Sequence, residues 1–356
     1  MNHNTAQHNT ATLEVLLNDA RKRIEVLRAE LDEARRRRSL IVEALLDEFP
    51  GSRTYVNGSV AHGDALTPLT DVDLGVVIAE AVQTHGPGRR GPRELMDRAA
   101  DAIRARLRPE FPHLEVVVEG RKRSVLVRFR DPVTAGEDDF TADVIVAVDN
   151  LDARGLYIPR VPGWDRSHPE MHTVMIRDAI EDTKVSFARV VRLLKHWDRS
   201  NGMPLCSWNV KALALGCLTQ PVTLVEGLRL WLDHSICELA KGETPDPARV
   251  APKPLRLNEP QDVVLGRLRK AAAHLSRAVT FEDAGYPLLA HDELARMFND
   301  PSMLPGPEPL AVEVEQARKV RADQAAAQKR FGAPALLTSV GAGVETSRRN
   351  VGSWAP

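Results

Sequence analysis

The sequence predicts an α+β protein with two lobes, a mixed β-sheet with flanking helices and a C-terminal helical lobe, which together form a cleft. Two features predict this division. Short β-branched runs, typical of strands, recur between residues 54 and 148. Beyond residue 149 they give way to apolar residues at helical spacing. With 356 residues, 43% of them apolar, the chain can bury a substantial core.

The individual elements follow from the same patterns. The predicted strands span residues 54–57, 72–78, 114–119, 124–129 and 141–148. A loop rich in Gly, Pro and Arg at residues 84–92 precedes a predicted amphipathic helix at residues 93–107. The helices predicted for the second half span residues 172–200, 206–218, 224–242, 261–279 and 291–298.

A further helix is predicted at the N-terminus, where apolar residues recur at alternating spacings of four and three. These residues are Leu13, Leu17, Ala20, Ile24, Leu27, Leu31 and Ala34. The stripe indicates one long helix that ends near Pro50-Gly51. Two interpretations are open: the helix packs along the protein's own core, as in a monomer, or it forms a coiled-coil dimer.

Four domains are therefore predicted. Residues 1–49 form the N-terminal helix, residues 50–165 the sheet core and residues 166–305 the helical lobe. Residues 306–356 form a mostly mobile tail, because their sequence is rich in Gly, Ser and Thr without periodicity after one short helix at residues 312–330.

The composition excludes several classes of protein. Basic and acidic residues number 48 and 49, so no global field attracts nucleic acid or anionic lipid, and a large nucleic acid acceptor is not expected. No apolar run approaches the length of a membrane span, and the polar N-terminus lacks the pattern of a signal peptide. Cys206, Cys217 and Cys237 lack metal-ligand spacing, so we expect buried thiols, no disulfide and no zinc. These features favour a cytoplasmic protein that does not bind membranes.

The segment at residues 55–78, YVNGSVAHGDALTPLTDVDLGVVI, carries the clearest chemical signal. After a strand that ends at Gly58-Ser59, we expect a turn whose backbone N–H groups and serine hydroxyl bind a phosphate, since glycine has no Cβ to prevent close approach. Asp71 and Asp73 lie two residues apart in an apolar strand, so both carboxylates point to one face. Like charges so placed need a cation, and oxygen ligands favour Mg²⁺ or Mn²⁺.

Phosphoryl transfer with two such ions calls for a third carboxylate from a neighbouring strand. Asp143 begins the alternating run ADVIVAV and is our candidate. Asp138 and Asp139 precede that strand and Asp149 ends it, so these three are alternatives. We predict that the first two carboxylates bind two Mg²⁺ or Mn²⁺ ions, and that Asp143 binds the catalytic ion and polarises the attacking hydroxyl.

A Gly-Ser pair, eleven intervening residues, an Asp-X-Asp and a later strand-borne Asp together resemble the signature of the polymerase-β-type nucleotidyltransferase superfamily. The segment at residues 189–213, RVVRLLKHWDRSNGMPLCSWNVKAL, resembles its CD-NTase (cGAS/DncV-like) and oligoadenylate-synthetase branch. By this resemblance Lys195 would hold the donor triphosphate, Ser207 would contact its phosphates and Trp208 would stack on the donor base. A flexible point charge and a wide indole face suit these roles.

Three residues depart from the pattern of the branch. Asp64 stands where many members have Thr, Val146 where Pro is common and Lys211 where Glu is usual. These departures leave the predicted metal site intact but bear on donor and acceptor preference. The roles of two other residues also have plainer alternatives, since Lys195 could be a surface lysine and Trp208 an ordinary core residue.

The resemblance implies an enzyme that makes cyclic or linear oligonucleotide second messengers from NTPs and releases pyrophosphate. It also implies a role in anti-phage (CBASS-type) defence through a separate effector protein that responds to the product. Two alternatives are open. One is a nucleotidyltransferase that modifies an RNA 3′ end, a protein or a small molecule. The other is a non-catalytic nucleotide-sensing or assembly module that uses the N-terminal stripe and the tail.

Overall fold

The computed structural model describes residues 12–330 and contains the predicted mixed sheet with flanking helices. Its strands are β1 (Arg53–Asn57), β2 (Asp71–Val77), β3 (Glu115–Val117), β4 (Val125–Arg128), β5 (Thr141–Asp149), β6 (Leu156–Arg160) and β7 (Gly163–Ser167). They lie in the order β1-β2-β5-β4-β3, with β6 paired to β5 and β7 paired to β6. Strands β2 and β5 are parallel, and the other neighbouring pairs are antiparallel.

Helices flank the sheet and form the second lobe. They are α1 (Leu13–Arg23), α2 (Arg28–Glu48), α3 (Gly58–Ala61), α4 (Arg93–Leu107), α5 (Pro169–Asp182), α6 (Ser186–Ser200), α7 (Ser207–Leu215), α8 (Leu224–Lys241), α9 (Gln261–Asp283), α10 (Pro287–Phe298) and α11 (Pro309–Arg330). Helices α5 to α10 and α1 share a core around Trp197 and Trp231, whose ring centroids lie 6.3 Å apart. The helical lobe predicted from the second half of the sequence is therefore confirmed.

The two faces of β2 and β5 differ in chemistry. On one face Val72, Leu74 and Val76 join Val144 and Val146 in an apolar core that includes α2 and α4. The intervening positions of both strands point to the other face, because side chains alternate along a strand. That second face is turned toward the helical lobe and carries the polar residues of the predicted site.

The prediction of a single N-terminal helix is wrong, since a short extended segment separates α1 from α2. The carbonyl of Ile24 accepts a hydrogen bond from the Thr67 N–H at 3.0 Å, and Glu25 forms a β-bridge with Leu66. These distant partners replace the hydrogen bonds that would continue the helix, and hydrophobic periodicity cannot reveal them. Leu27, a member of the predicted stripe, is 57% exposed as a result. The other members pack within this chain, those of α1 in the helical lobe and those of α2 in the sheet lobe.

The prediction that β-structure ends at residue 149 is also wrong, because β6 and β7 form a hairpin beyond it. Tyr157 of β6 pairs with Val148 of β5, so the hairpin extends the sheet. Its sequence signal is weak: β6 contains Pro159, and β7 reads GWDRS without apolar alternation. Proline lacks a donor for the strand ladder and is therefore a poor sequence marker of a strand.

The helix predicted over residues 172–200 is interrupted between α5 and α6. Lys184 and Val185 have φ values of 49° and 66°, which no α-helix accommodates. The hydroxyl of Thr183 accepts a hydrogen bond from the Phe187 N–H at 3.0 Å and so begins α6. The break occurs without Gly or Pro, which is why the sequence does not show it.

Part of the predicted tail is ordered as α11, close to the short helix expected there. The side chain of Glu315 accepts a hydrogen bond from the Leu289 N–H at 2.8 Å, which ties α11 to α10. The rest of the predicted tail, residues 331–356, lies outside the described residues. The predicted short helix is therefore present, and the mobility predicted for the rest of the tail stays a prediction.

The cysteines differ from expectation at one position. Cys206 and Cys217 are half-buried, whereas Cys237 is exposed because α8 turns it away from the helical core. Among residues 12–330, no helix is both long enough and apolar enough to cross a membrane.

Replacing Leu17 tests whether α1 belongs to the helical core. Leu17 is fully buried there, so Leu17→Ala should lower the free energy of unfolding by about 2–5 kcal/mol through lost contacts and a cavity. Urea denaturation followed by circular dichroism measures the change. Val15 on the same helix is 48% exposed, and Val15→Ala is the matched control with a change of about 0.5 kcal/mol or less. Equal losses for both variants would contradict the packing of α1.

Candidate active site

The parallel pairing of β2 with β5 places the predicted acids side by side. In this register Asp73 lies opposite Asp143, and Asp71 lies opposite Thr141. Since side chains alternate along each strand, the three acids share the face turned away from the sheet core. The structure therefore brings all three candidate carboxylates to neighbouring positions of one surface.

Gly58 follows β1 directly and packs against Asp73. Its φ is +76°, and a Cβ at this position would lie 1.8 Å from Oδ2 of Asp73. Any other residue would have to displace that carboxylate as well as adopt a strained backbone. Ser59 comes next, so the predicted phosphate-binding turn is one helical turn, α3, that adjoins the acidic face.

Asp73 lies where its ionised form is disfavoured. Burial raises the pKa of Asp73, and the charges of Asp71 and Asp143 raise it further, to about 7, although Lys211 and Lys195 oppose the shift. Full ionisation of Asp73 therefore needs more positive charge than the two lysines supply. Carboxylate oxygens gathered in this way suit divalent cations such as Mg²⁺ or Mn²⁺.

The carboxylate of Asp143 already has two protein partners. Its Oδ1 accepts hydrogen bonds from Nη2 of Arg121 and from Oγ of Ser124, each at 2.7 Å. Within residues 12–330, no three His, Cys, Asp or Glu side chains lie close enough together to form a ready-made metal site. The strand register thus brings the three acids to neighbouring positions, but their side chains do not converge on one point. Metal binding by all three acids would require a change in side-chain conformation.

The alternative third acids have partners elsewhere. Asp139 accepts two hydrogen bonds from Nη1 of the buried Arg37, at 2.9 and 3.0 Å. Asp149 lies at the other end of β5 and binds the guanidinium of Arg53 at 2.7 and 2.8 Å. Asp138 is exposed in the loop before β5. Among these acids, Asp143 alone lies beside the pair on β2.

A cleft of about 510 Å³ lies between the acidic face and the helical lobe. Gly58 and Asp73 line it from the sheet lobe, and Ser207 and Trp208 line it from the helical lobe. Its walls also carry basic side chains, which are Arg123, Arg160, Arg166, Lys211, Lys253 and Arg256. Four other predicted site residues do not line this cleft. They are Ser59, Asp71, Asp143 and Lys195. The positive walls suit a ligand with several phosphates.

Helix α7 presents two predicted residues to the cleft from its N-terminus. Cys206 caps the helix, so Ser207 and Trp208 are its first two residues. The ring centroid of Trp208 lies 4.5 Å from that of His172. Nε2 of His172 is hydrogen-bonded to Oδ1 of Asp246 at 2.7 Å, and this contact fixes the imidazole. The indole is therefore held at the cleft wall, half-buried against the helical core.

Lys195 is bound to Asp64 and does not project into the cleft. Its Nζ donates to Oδ1 of Asp64 at 2.7 Å and to the Asp64 carbonyl at 2.9 Å. Nζ of Lys211 lies 2.9 Å from Oδ2 of the same carboxylate. Burial opposes ionisation of Asp64, but the charges of Lys211 and Lys195 outweigh it and lower the pKa of Asp64 to about 2. Asp64 and Lys211, which both depart from the pattern of the CD-NTase branch, thus lie in contact with each other.

Sequence reasoning missed the groups that hold these side chains. Arg121 and Ser124 engage Asp143, and His62 engages Lys211. Ser124 immediately precedes β4, the neighbour of β5, so knowledge of that strand pairing would have located it. The contact between His62 and Lys211 joins residues 149 positions apart, and nothing in the local sequence indicates it.

Replacing Asp73 with asparagine tests whether ionisation of the Asp73 carboxyl destabilises the fold. In metal-free buffer at pH 8, Asp73→Asn should raise the melting temperature by about 2 °C or more, because it removes a buried charge. Below about pH 4 the carboxyl is protonated in both the folded and unfolded states, so the advantage should vanish there. It should grow as pH rises to about 7, where the native carboxyl also ionises, and then stay constant.

Thermal denaturation in EDTA at several pH values measures this effect. Asp152→Asn, in an exposed loop, is the control and should show no such growth with pH. If the melting temperature of Asp73→Asn at pH 8 were at or below that of the unmodified protein, the ionised form of Asp73 would not be disfavoured in the fold.

The chain is similar to known proteins in part of its sequence and in its fold. No protein-family profile matches the chain. A cyclic AMP-AMP-AMP synthase of Escherichia coli (strain MS 115-1) is 32% identical over 157 residues, and this match covers 43% of the chain. The match spans 44% of the synthase, which is less than half its length.

Two solved structures are similar over most of the chain. CdnC of E. coli MS115-1, solved with ATP, has a TM-score of 0.63 and 17% identity, over 83% of this chain and 99% of CdnC. The cyclic AMP-GMP synthase DncV of Vibrio cholerae, solved with a linear intermediate, has a TM-score of 0.52 and 15% identity, over 81% of this chain and 87% of DncV. At such low identity the similarity establishes the fold. The fold expected from the sequence resemblance is thereby confirmed, since the chain has the fold of CdnC and DncV.

Proposed function

We propose that this chain is a metal-dependent nucleotidyltransferase that makes cyclic or linear oligonucleotide second messengers from NTPs. One observation carries the proposal: Asp73 and Asp143 lie opposite each other in a parallel strand pair, with Asp71 on the same face and Gly58 packed against Asp73. The product would act through a separate effector protein in cytoplasmic anti-phage signalling.

The geometry assigns a role to each group at the cleft. Asp71 and Asp73 would hold two divalent cations, Mg²⁺ or Mn²⁺, and Asp143 would hold one of them once it leaves Arg121. When bound, the ions neutralise the charge that develops on the transferred phosphoryl group as pyrophosphate leaves. The N–H groups of α3 at Gly58 would face the donor phosphates. Asp143, which lies opposite Asp73 in the strand pair, would also polarise the attacking hydroxyl.

The helical lobe would bind the rest of the donor. Ser207 offers a hydroxyl and the free N–H groups of the first turn of α7 to phosphate. Trp208, held against His172, offers an indole face for a base. The basic walls of the cleft suit nucleotide phosphates, and its volume of about 510 Å³ is in the size range of small-molecule sites.

A nucleotidyltransferase that modifies an RNA 3′ end, a protein or a small molecule is the enzymatic alternative. Its metal site would be the same, so the distinction lies in the acceptor. The cleft walls carry basic side chains, whereas the formal net charge of the whole chain is −1. A nucleotide fits such a local patch better than a large RNA does.

A non-catalytic assembly module is the second alternative. It would use the N-terminal apolar stripe to recruit a partner. However, Leu13, Leu17 and Ala20 of that stripe are buried in the helical core of this chain. The stripe is therefore not available to a partner while α1 is folded, which also favours a monomer over a coiled-coil dimer.

Incubation with labelled NTPs and Mg²⁺ or Mn²⁺ tests the proposal. Nucleotide-only oligonucleotide products, identified by mass spectrometry, are expected without any added macromolecule. The variant Asp71→Asn with Asp73→Asn should lower product formation by at least about a thousandfold, because the cations lose two ligands. Circular dichroism should show that the variant is folded.

Asp138→Asn is the matched control, since Asp138 is an exposed acid that precedes β5. Its product formation should equal that of the unmodified protein. Labelling that occurs only when RNA or protein is added would favour the enzymatic alternative. Full activity of the double variant would exclude the assigned metal site.

A further inference from the structure

We infer that Lys211 is a further phosphate-binding residue of the cleft, and that Asp64 and His62 hold its ammonium group in place. The inference rests on the proposed function, because it concerns binding of the donor nucleotide. It differs from the expectation drawn from the sequence, which assigned the triphosphate to Lys195 and gave Lys211 no role.

The position of Lys211 on α7 is the first support. Ser207 and Lys211 are four residues apart, so they lie on one face of the helix, a single turn from each other. Both line the cleft, together with Asp73 on the opposite wall. Lys195 on α6 is not part of the described lining, and its ammonium group makes two hydrogen bonds to Asp64. Of the two lysines, Lys211 is therefore the one that the cleft presents to a ligand.

A directional chain of hydrogen bonds fixes Lys211. The hydroxyl of Thr173 donates to the carbonyl of Val56 at 2.9 Å, so its oxygen is free to accept from Nε2 of His62 at 3.2 Å. With its proton on Nε2, His62 accepts from Nζ of Lys211 through Nδ1, at 2.9 Å. Burial lowers the pKa of His62 to about 3, and the charge of Lys211 contributes in the same direction. The imidazole is therefore neutral and acts as an acceptor for the lysine.

Asp64 compensates the charge of Lys211 at a buried position. Lys211 is only 4% exposed, and burial lowers its pKa while Asp64 opposes that shift. Each oxygen of the Asp64 carboxylate lies within 3 Å of one lysine, Oδ1 near Lys195 and Oδ2 near Lys211. Two lysines thus share one carboxylate beside the cleft. A protonated Lys211 has three donors and its hydrogen bond to His62 uses one, so a donor remains for a ligand phosphate.

The competing interpretation is that Lys211 only stabilises the contact between the lobes. Both interpretations predict that Lys211→Met lowers the melting temperature, because Asp64 loses one of its two cations. Asp64 keeps Lys195 as its partner in this variant, so the remaining pair is charge-balanced. The two interpretations differ in how the effect depends on the ligand. A purely structural lysine predicts equal losses of affinity for a nucleoside triphosphate and for adenosine. A phosphate-binding lysine predicts a loss of affinity for the triphosphate alone.

The experiment is calorimetric titration of each full-length variant with α,β-methylene-ATP and Mg²⁺, since this analogue cannot transfer its nucleotidyl group. Lys211→Met should raise the dissociation constant by about tenfold to a hundredfold, the usual effect of losing a hydrogen bond from a charged group. The affinity of Lys211→Met for adenosine, measured in the same way, should equal that of the unmodified protein. Lys270→Met, which removes an exposed lysine of α9, is the control and should change neither quantity.

The outcomes separate this inference from the proposed function. Normal affinity of the folded Lys211→Met variant for the analogue, or an equal loss of affinity for adenosine, would overturn the role of Lys211, whatever the unmodified protein does with NTPs. If the unmodified protein neither binds the analogue nor forms product from NTPs, the proposed function itself fails. If Lys211→Met does not fold, Lys211→Gln, whose amide can still donate to His62, gives the decisive affinity.

Discussion

The register between β2 and β5 is the constraint on which the site depends. The strands are parallel, and their apolar positions alternate so that Val72, Leu74 and Val144 enter the sheet core while Asp73 and Asp143 lie on the opposite face. A shift of one strand by a single residue would bury a carboxylate in that core and expose its valines. The hydrophobic effect therefore enforces an arrangement of like charges that is unfavourable by itself. The raised pKa of Asp73 reports this cost, which a divalent cation would offset.

The helical lobe contributes to the site through polar contacts buried between the lobes. Helices α5, α6 and α7 each direct one polar side chain, Thr173, Lys195 and Lys211, toward the segment that follows β1. Buried polar groups tolerate little displacement, because an unpaired one loses its hydrogen bond without regaining water. The turn at Gly58 is therefore held from the sheet side by its close contact with Asp73 and from the helical side by this network. Ligand binding in the cleft would engage groups whose positions are already fixed.

The fold and the acidic face could be predicted because their signals are local. Strand periodicity located β1 to β5 to within about two residues, and the two-residue spacing of Asp71 and Asp73 determined their common face. The missed features depend on contacts between distant residues. The break after α1 comes from pairing with Leu66, and the partners of Lys195 and Lys211 come together only when the lobes pack. Asp143 was chosen from its place in a strand, but its bond to Arg121 depends on a loop conformation that composition does not encode.

The most direct test of the account is an anomalous difference map from crystals grown with Mn²⁺ and α,β-methylene-ATP. The account predicts manganese peaks coordinated by Asp71, Asp73 and Asp143, with the phosphates of the analogue against the turn at Gly58. It also predicts that the Asp143 carboxylate has left Arg121. Peaks elsewhere in the cleft, or an analogue bound with Asp143 still paired to Arg121, would contradict the central claim that these opposed carboxylates form the catalytic metal site.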